Sequence, residues 1–144
     1  MDLRTTFPRS VGEKAGGYVH LLRMIDKCRA VLAGTEGPYI YPCPMDRRLF
    51  EFTGLTPERF TEAVGSKSDS DVAEWFKEQA APHTQAEIDA WNEMMGTRGP
   101  DTEDKKAYFK ESRDAIDPTR TDITSWADLL DLEEQRVVPQ RSGN

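Results

Sequence analysis

Short apolar stripes of helical period, each opened by a capping residue and cut off by proline or glycine, constrain this chain more than any other feature. Tyr18, Leu21, Ile25, Cys28 and Leu32 recur at spacings of three and four, which predicts a helix from Gly17 to Ala33 stopped by a left-handed Gly34. Thr35 to Pro44 holds three prolines in ten residues and excludes a helix. Within it, Tyr39-Ile40-Tyr41 is the one strand candidate. Pro44 suits the first turn of a helix running through Thr53, with Gly54 as its stop. Thr56-Pro57 opens another, carrying Phe60 and Val64 inward as far as Gly65. Ser68-Asp69-Ser70-Asp71 caps a fourth, with Val72, Trp75, Phe76 and Gln79 on one face. Thr84 and Glu87 form a capping box ahead of Ile88, Trp91 and Met95. Asp101 opens a sixth helix with Tyr108, Ser112 and Ala115 in line, and Thr124-Ser125 a seventh with Trp126, Leu129, Leu130 and Leu132.

Residues 1–14 read as an extended arm anchored by Phe7, and residues 137–144 as a frayed tail. No low-complexity linker divides the chain. The expected fold class is all-α: a compact single-domain bundle (1–144) of about six to seven short helices, with a proline-rich loop after the first. Trp75, Trp91 and Trp126 read as core residues.

Charge narrows the function classes. Lys+Arg number 19 against 26 Asp+Glu, a net −7, which argues against a nucleic-acid binder. The first fifty residues are locally basic, so a small anionic ligand would sit among Arg4, Arg9, Lys14, Arg23, Arg47 and Arg48. No apolar run approaches the ~20 residues of a membrane span, and the N-terminus shows no signal-peptide pattern. Cys28 and Cys43 make no disulfide framework, and a reducing cytoplasm is the expected compartment.

Cys43 is the most chemically suggestive position. It precedes Pro44 at a helix start, where unpaired backbone N–H groups, Arg47 and Arg48 would favour a thiolate, while Asp46 opposes them. The plainer alternative is a small buried cap between two prolines. His20 falls at the margin of the first apolar stripe, either as a general base or as a donor to a backbone carbonyl. Cys43, His20 and Asp46 together would make a nucleophile, a base and an orienting carboxylate.

Arg29 falls inside the apolar arc and calls for an acidic partner, Glu51 or Asp128 for example, or for a ligand's anion. Tyr39 and Tyr41 alternate around Ile40 and would line a pocket mouth with free hydroxyls. With Arg29 and Arg47 they are the candidate ligand-binding residues. Neither the histidine nor the cysteine pair has zinc-ligand spacing, and Gly12 to Tyr18 lacks the Lys and Ser/Thr of a phosphate loop. No metal or cofactor is expected.

Three blocks carry a resemblance. They are Gly16 to Ala30 (GGYVHLLRMIDKCRA), Tyr39 to Asp46 (YIYPCPMD) and Arg120 to Glu134 (RTDITSWADLLDLEE). In this order they resemble a bacterial family known as domain of unknown function 5069. The resemblance implies a small, intracellular, single-domain protein and supplies no activity or catalytic residue.

Two functional expectations follow. The first is a small cytoplasmic binding or interaction protein, its site around the first helix and the Tyr39–Asp46 loop, taking a protein partner or a small anion but no nucleic acid and no membrane. The alternative is a thiol-dependent enzyme or redox sensor using Cys43 with His20 and Asp46.

Overall fold

A computed structural model describes residues 1–141. Among them, seven helices and one two-stranded hairpin are formed, a mainly α architecture as the sequence pattern predicts. The elements are β1 (Lys14–Ala15), β2 (Tyr18–Val19), α1 (Leu21–Ala33), α2 (Pro44–Thr53), α3 (Pro57–Ser66), α4 (Asp69–Gln79), α5 (Gln85–Thr97), α6 (Glu103–Ile116) and α7 (Trp126–Glu133). None of these helices is long and apolar enough to cross a membrane.

Five helices are opened by a serine or threonine whose hydroxyl accepts a backbone N–H of the first turn. Thr56 serves α3, Ser68 α4, Thr84 α5, Thr102 α6 and Ser125 α7. Each satisfies a donor that the helix itself cannot, and these boundaries agree with the sequence to within two residues. The two remaining helices break the rule. His20 stands at the N-cap of α1 and Cys43 at that of α2.

The chain groups into two compact units, Met1–Ala90 and Trp91–Asn144. The division falls inside α5, where no change of composition marks it, and the sequence there reads as one domain. In the first unit α1 packs against α3 and α4. Leu21, Met24, Ile25, Leu49, Phe60, Val72 and Phe76 are wholly buried. A run of edge-on aromatic contacts joins Tyr18 to Phe76, Phe76 to Phe60, Phe60 to Phe50 and Phe50 to Tyr41. The second unit is centred on Phe109, Ile123, Leu129 and Val138, with Trp126 and Leu132 packed against them.

Several expectations are corrected. The strand lies at β1 and β2 rather than at Tyr39–Tyr41, and it displaces the first turn of the predicted Gly17 helix. Gly16 and Gly17, at φ 58° and 88°, make the two-residue turn that such a hairpin needs. The rings of Tyr39 and Tyr41 instead reach separate neighbours, and no ladder forms there. The arm is anchored by Leu3 and Val11, both buried, while Phe7 is 41% exposed. In α6, Phe109 faces inward and Tyr108 outward, because a one-residue slip turns a helix face by ~100°. Trp91 is buried, but Trp75 is only half-buried beneath Arg59.

The tail is docked through Arg141. Val138 is buried, the Arg141 guanidinium grips Asp128 with two hydrogen bonds of 2.9 Å, and its N–H meets Asp122. Residues 142–144 of the expected frayed segment lie outside the described residues.

Arg29 does pair internally, but with Asp69 and the Lys67 carbonyl rather than with Glu51 or Asp128. Its side chain keeps 30% of its exposure and that of Asp69 41%. Arg29→Ala is therefore expected to cost no more than ~1 kcal/mol in urea unfolding, since water and Arg9 can take over Asp69. A loss of several kcal/mol would place that pair in the core.

Candidate functional site

The first unit carries a buried polar cluster built from both unusual caps. The hairpin delivers the chain to His20, whose N–H donates to the Val11 carbonyl at 2.8 Å. That turn fixes His20 at φ 72°, a left-handed conformation costing on the order of 1–2 kcal/mol for a residue with a Cβ. From there α1 carries Arg23 and Lys27 at three and seven residues further on, the spacing that keeps side chains on one helix face. All three are buried.

Asp46 of α2 is the centre. His20 Nε2 lies 2.6 Å from Asp46 Oδ1, and Lys27 Nζ 2.8 Å from Oδ2. The Cys43 backbone N–H donates to the same Oδ2 at 2.9 Å, a reciprocal cap that fixes the helix start. Lys27 Nζ also reaches Cys43 Sγ at 3.1 Å. The contacts therefore run from sulfur to ammonium to carboxylate to imidazole. Cys43 is half-buried, at the outer end of this chain, and His20 is at the fully buried inner end.

The charges can be assigned from the burial and the partners. Burial pushes the His20 pKa down, and this outweighs the upward pull of Asp46, so the ring is neutral near pH 7. Burial alone would raise the Asp46 carboxyl. The hydrogen bond from His20 and the Lys27 ammonium overcome that and hold it well below the usual carboxylate range. An ionised Asp46 accepts only, so Nε2 carries the imidazole proton and donates it. Nδ1 is then a buried acceptor with no hydrogen-bond partner among the described residues.

The sign of the pH response follows. Unfolding frees His20 to bind a proton near its ordinary pKa of ~6.5, which the folded protein resists, so stability falls as pH drops below that value. Urea melts are expected to show a downward slope of stability from pH 6.5 to 5, bounded by the one-proton limit of about 1.4 kcal/mol per pH unit. His20→Asn, which tolerates the left-handed backbone, should flatten it. An unchanged slope in that variant would place the titrating group elsewhere. Asp46 acts in the same direction, below pH ~4.

Arg23 lies beside the cluster, its Nη1 donating to the Arg9 carbonyl at 3.3 Å and its guanidinium 5.6 Å from the Tyr39 ring centre. Arg9 in turn is committed to the buried Asp26, through its own N–H at 2.8 Å and through Nε and Nη2 at 3.0 and 2.9 Å. Arg4 is likewise paired, with Asp2. Arg4, Arg9 and Arg23 are thus each engaged by groups of the chain itself.

The structure brings Cys43, His20 and Asp46 into one cluster and inserts Lys27, absent from the sequence-based candidates, between sulfur and carboxylate. It does not gather the four ligand-binding candidates. Tyr39 meets Arg23, whereas Tyr41 packs on Phe50 and Phe60 with its hydroxyl near Thr61, where burial raises its pKa, so that hydroxyl is not free. Arg29 faces Asp69, and Arg47 is exposed beside a shallow depression with Phe50, Leu55 and Pro57. His83 stacks on Phe52 and donates to its carbonyl. Cys28 is wholly buried beside Thr61, and burial pushes its thiol up. Among the described residues no group of three or more His, Cys, Asp or Glu could hold a metal ion.

A signal for Lys27 was present in the sequence. His20, Arg23 and Lys27 form a polar stripe at helical spacing beside the apolar one, and a stripe that repeats at that spacing lies on a single face.

A small mainly helical domain with a buried ionic cluster at two helix starts is the class these features define. The family model for Domain of unknown function (DUF5069) matches residues 5–136, and the chain belongs to that family. No curated protein matches the chain.

Proposed function

We propose that this is a thiol-dependent protein, an enzyme or redox sensor, in which Cys43 is the nucleophile. One observation carries the reading: the buried Lys27 ammonium bridges Cys43 Sγ at 3.1 Å and Asp46 Oδ2 at 2.8 Å. A cationic donor on a partly exposed sulfur is the environment in which reactive cysteines occur. In this reading Asp46 holds Lys27 in place, and His20, too deep to meet solvent, orients Asp46 rather than acting as the base. Both cysteines are free thiols, which fits a reducing, cytoplasmic setting.

The test is the alkylation rate of each thiol, separated by Cys28→Ala and Cys43→Ala variants. At pH 7, Cys43 should react at least ~10-fold faster than Cys28, and Lys27→Met should slow it. A Cys43 that reacts no faster than a free cysteine, and is indifferent to Lys27→Met, would end the thiol reading.

A second reading, a binding surface on α1 and the Tyr39–Asp46 loop for a protein or a small anion, rests on a different observation. Ile40 is 70% exposed at the tip of a loop whose Tyr39 ring lies under Arg23. Ile40→Asp would abolish capture of such a partner and leave thiol alkylation unchanged.

A further inference from the structure

We infer that Lys27 and Cys43 form a reversible covalent cross-link, an Nζ–O–Sγ bridge, when the protein meets a peroxide. The inference rests on the thiol reading to the extent that peroxide must reach Cys43. It then assigns Lys27 as a modification site in its own right. Three features of the pair support it. Nζ and Sγ are 3.1 Å apart, a gap that two single bonds through one oxygen span with little movement. Lys27 is buried and held from behind by Asp46, so its amine stays on the sulfur rather than swinging into water. Cys43 is half-buried and open to a small oxidant, whereas Cys28 is sealed in the core beside Thr61.

The chemistry balances with peroxide as the only oxidant. A first peroxide oxidises the thiol: its O–O bond breaks, an S–O bond forms, and the sulfenic acid and one water result. The ammonium of Lys27 gives one proton to solvent and reacts as the neutral amine. The sulfenic O–H and one amine N–H then give way to an N–O bond. Their two protons and two electrons pass to a second peroxide, which leaves as two waters. Sulfur and nitrogen are oxidised, and both peroxides are reduced. Dithiol attack on the sulfur breaks the S–O bond and returns the thiol, Lys27 leaving as its N-hydroxylamine, and a second dithiol equivalent reduces that N–O bond to the amine and one water.

The bridge ties α1 to the N-cap of α2 and neutralises the Lys27 charge. It thereby removes the group that activates Cys43 and blocks further oxidation of that sulfur to the irreversible acids. Oxidant would switch the site off without destroying it.

The experiment is peroxide treatment of the full chain followed by intact-mass and peptide mapping, on wild type, Cys28→Ser and Lys27→Arg. Wild type and Cys28→Ser are expected to gain one oxygen less two hydrogens, with Lys27 and Cys43 in one linked peptide that dithiothreitol releases. Lys27→Arg should instead carry Cys43 on to the sulfinic acid. Wild-type protein in which dimedone traps Cys43 as the sulfenic acid and Lys27 remains free would overturn the bridge and leave the thiol reading standing. A loss of two hydrogens, from a direct S–N bond or a Cys28–Cys43 disulfide, would overturn it equally. If Cys43 is not oxidised at all, both fall.

Discussion

Asp46→Ala is expected to lower the unfolding free energy by about 3–5 kcal/mol, the range for removing one partner of a buried ion pair. The carboxylate is fully buried and accepts from three donors: the His20 ring, the Lys27 ammonium and the Cys43 backbone N–H. Without it, Lys27 remains as a buried cation whose other hydrogen-bond partner among the described residues is the sulfur of Cys43. Adding Lys27→Met should restore part of the loss, because the stranded charge goes with it. Urea unfolding at pH 7.5 reads both effects. A loss below ~1 kcal/mol would mean that water enters the cluster and solvates the ammonium.

Arg9→Ala is the second large effect, again about 3–5 kcal/mol, and it acts on the arm rather than on the cluster. Asp26 keeps almost none of its side chain exposed, while Arg9 covers it with two guanidinium bonds and reaches Asp69 as well. The backbone N–H of residue 9 would remain as a donor to Asp26, but the balancing charge would be gone. The arm is also tied by the Leu3 N–H to the Thr35 carbonyl. Proteolysis within residues 1–14 should therefore accelerate in the variant as that end loosens. Arg9→Ala with Asp26→Ala should be more stable than Arg9→Ala alone. If the single variant instead matches wild type, the salt link is dispensable and Leu3 and Val11 hold the arm by burial.

The contrast with Arg29 shows how charge and burial combine. Arg9 and Arg29 both contact Asp69, yet only Arg9 also covers a carboxylate that has no access to water. The partner's exposure sets the cost of losing an arginine, and a helical wheel drawn on α1 alone does not contain it.

Part of the candidate site was legible from the residues. Cys43 at the start of a proline-opened helix and Asp46 three residues on form a local motif, readable because a cap depends on neighbours in sequence. His20 was visible as a lone histidine at the edge of the apolar stripe. Its left-handed cap was not, because it depends on the hairpin before it and on the distant Val11 carbonyl. Lys27 is marked in the sequence only by its helical spacing from His20 and Arg23. Only the approach of α2 to α1 turns it into a buried ammonium between a sulfur and a carboxylate.

What the sequence by itself determined is local: the starts of the six helices after α1, the glycine stops of α1 and α2, the non-helical proline-rich loop, and the inward face of α3. These follow from cap chemistry, breaker geometry and the 3.6-residue period, which act within a turn or two of chain. Tertiary structure alone decided the pairing of Asp26 with Arg9, Asp69 with Arg29, Asp128 with Arg141, and Asp46 with both His20 and Lys27. The chain has carboxylates and cations enough for many such matches. Which ones form is set by which side chains lose water together when the helices pack, because burial makes an unmatched charge costly and surface exposure leaves it nearly free.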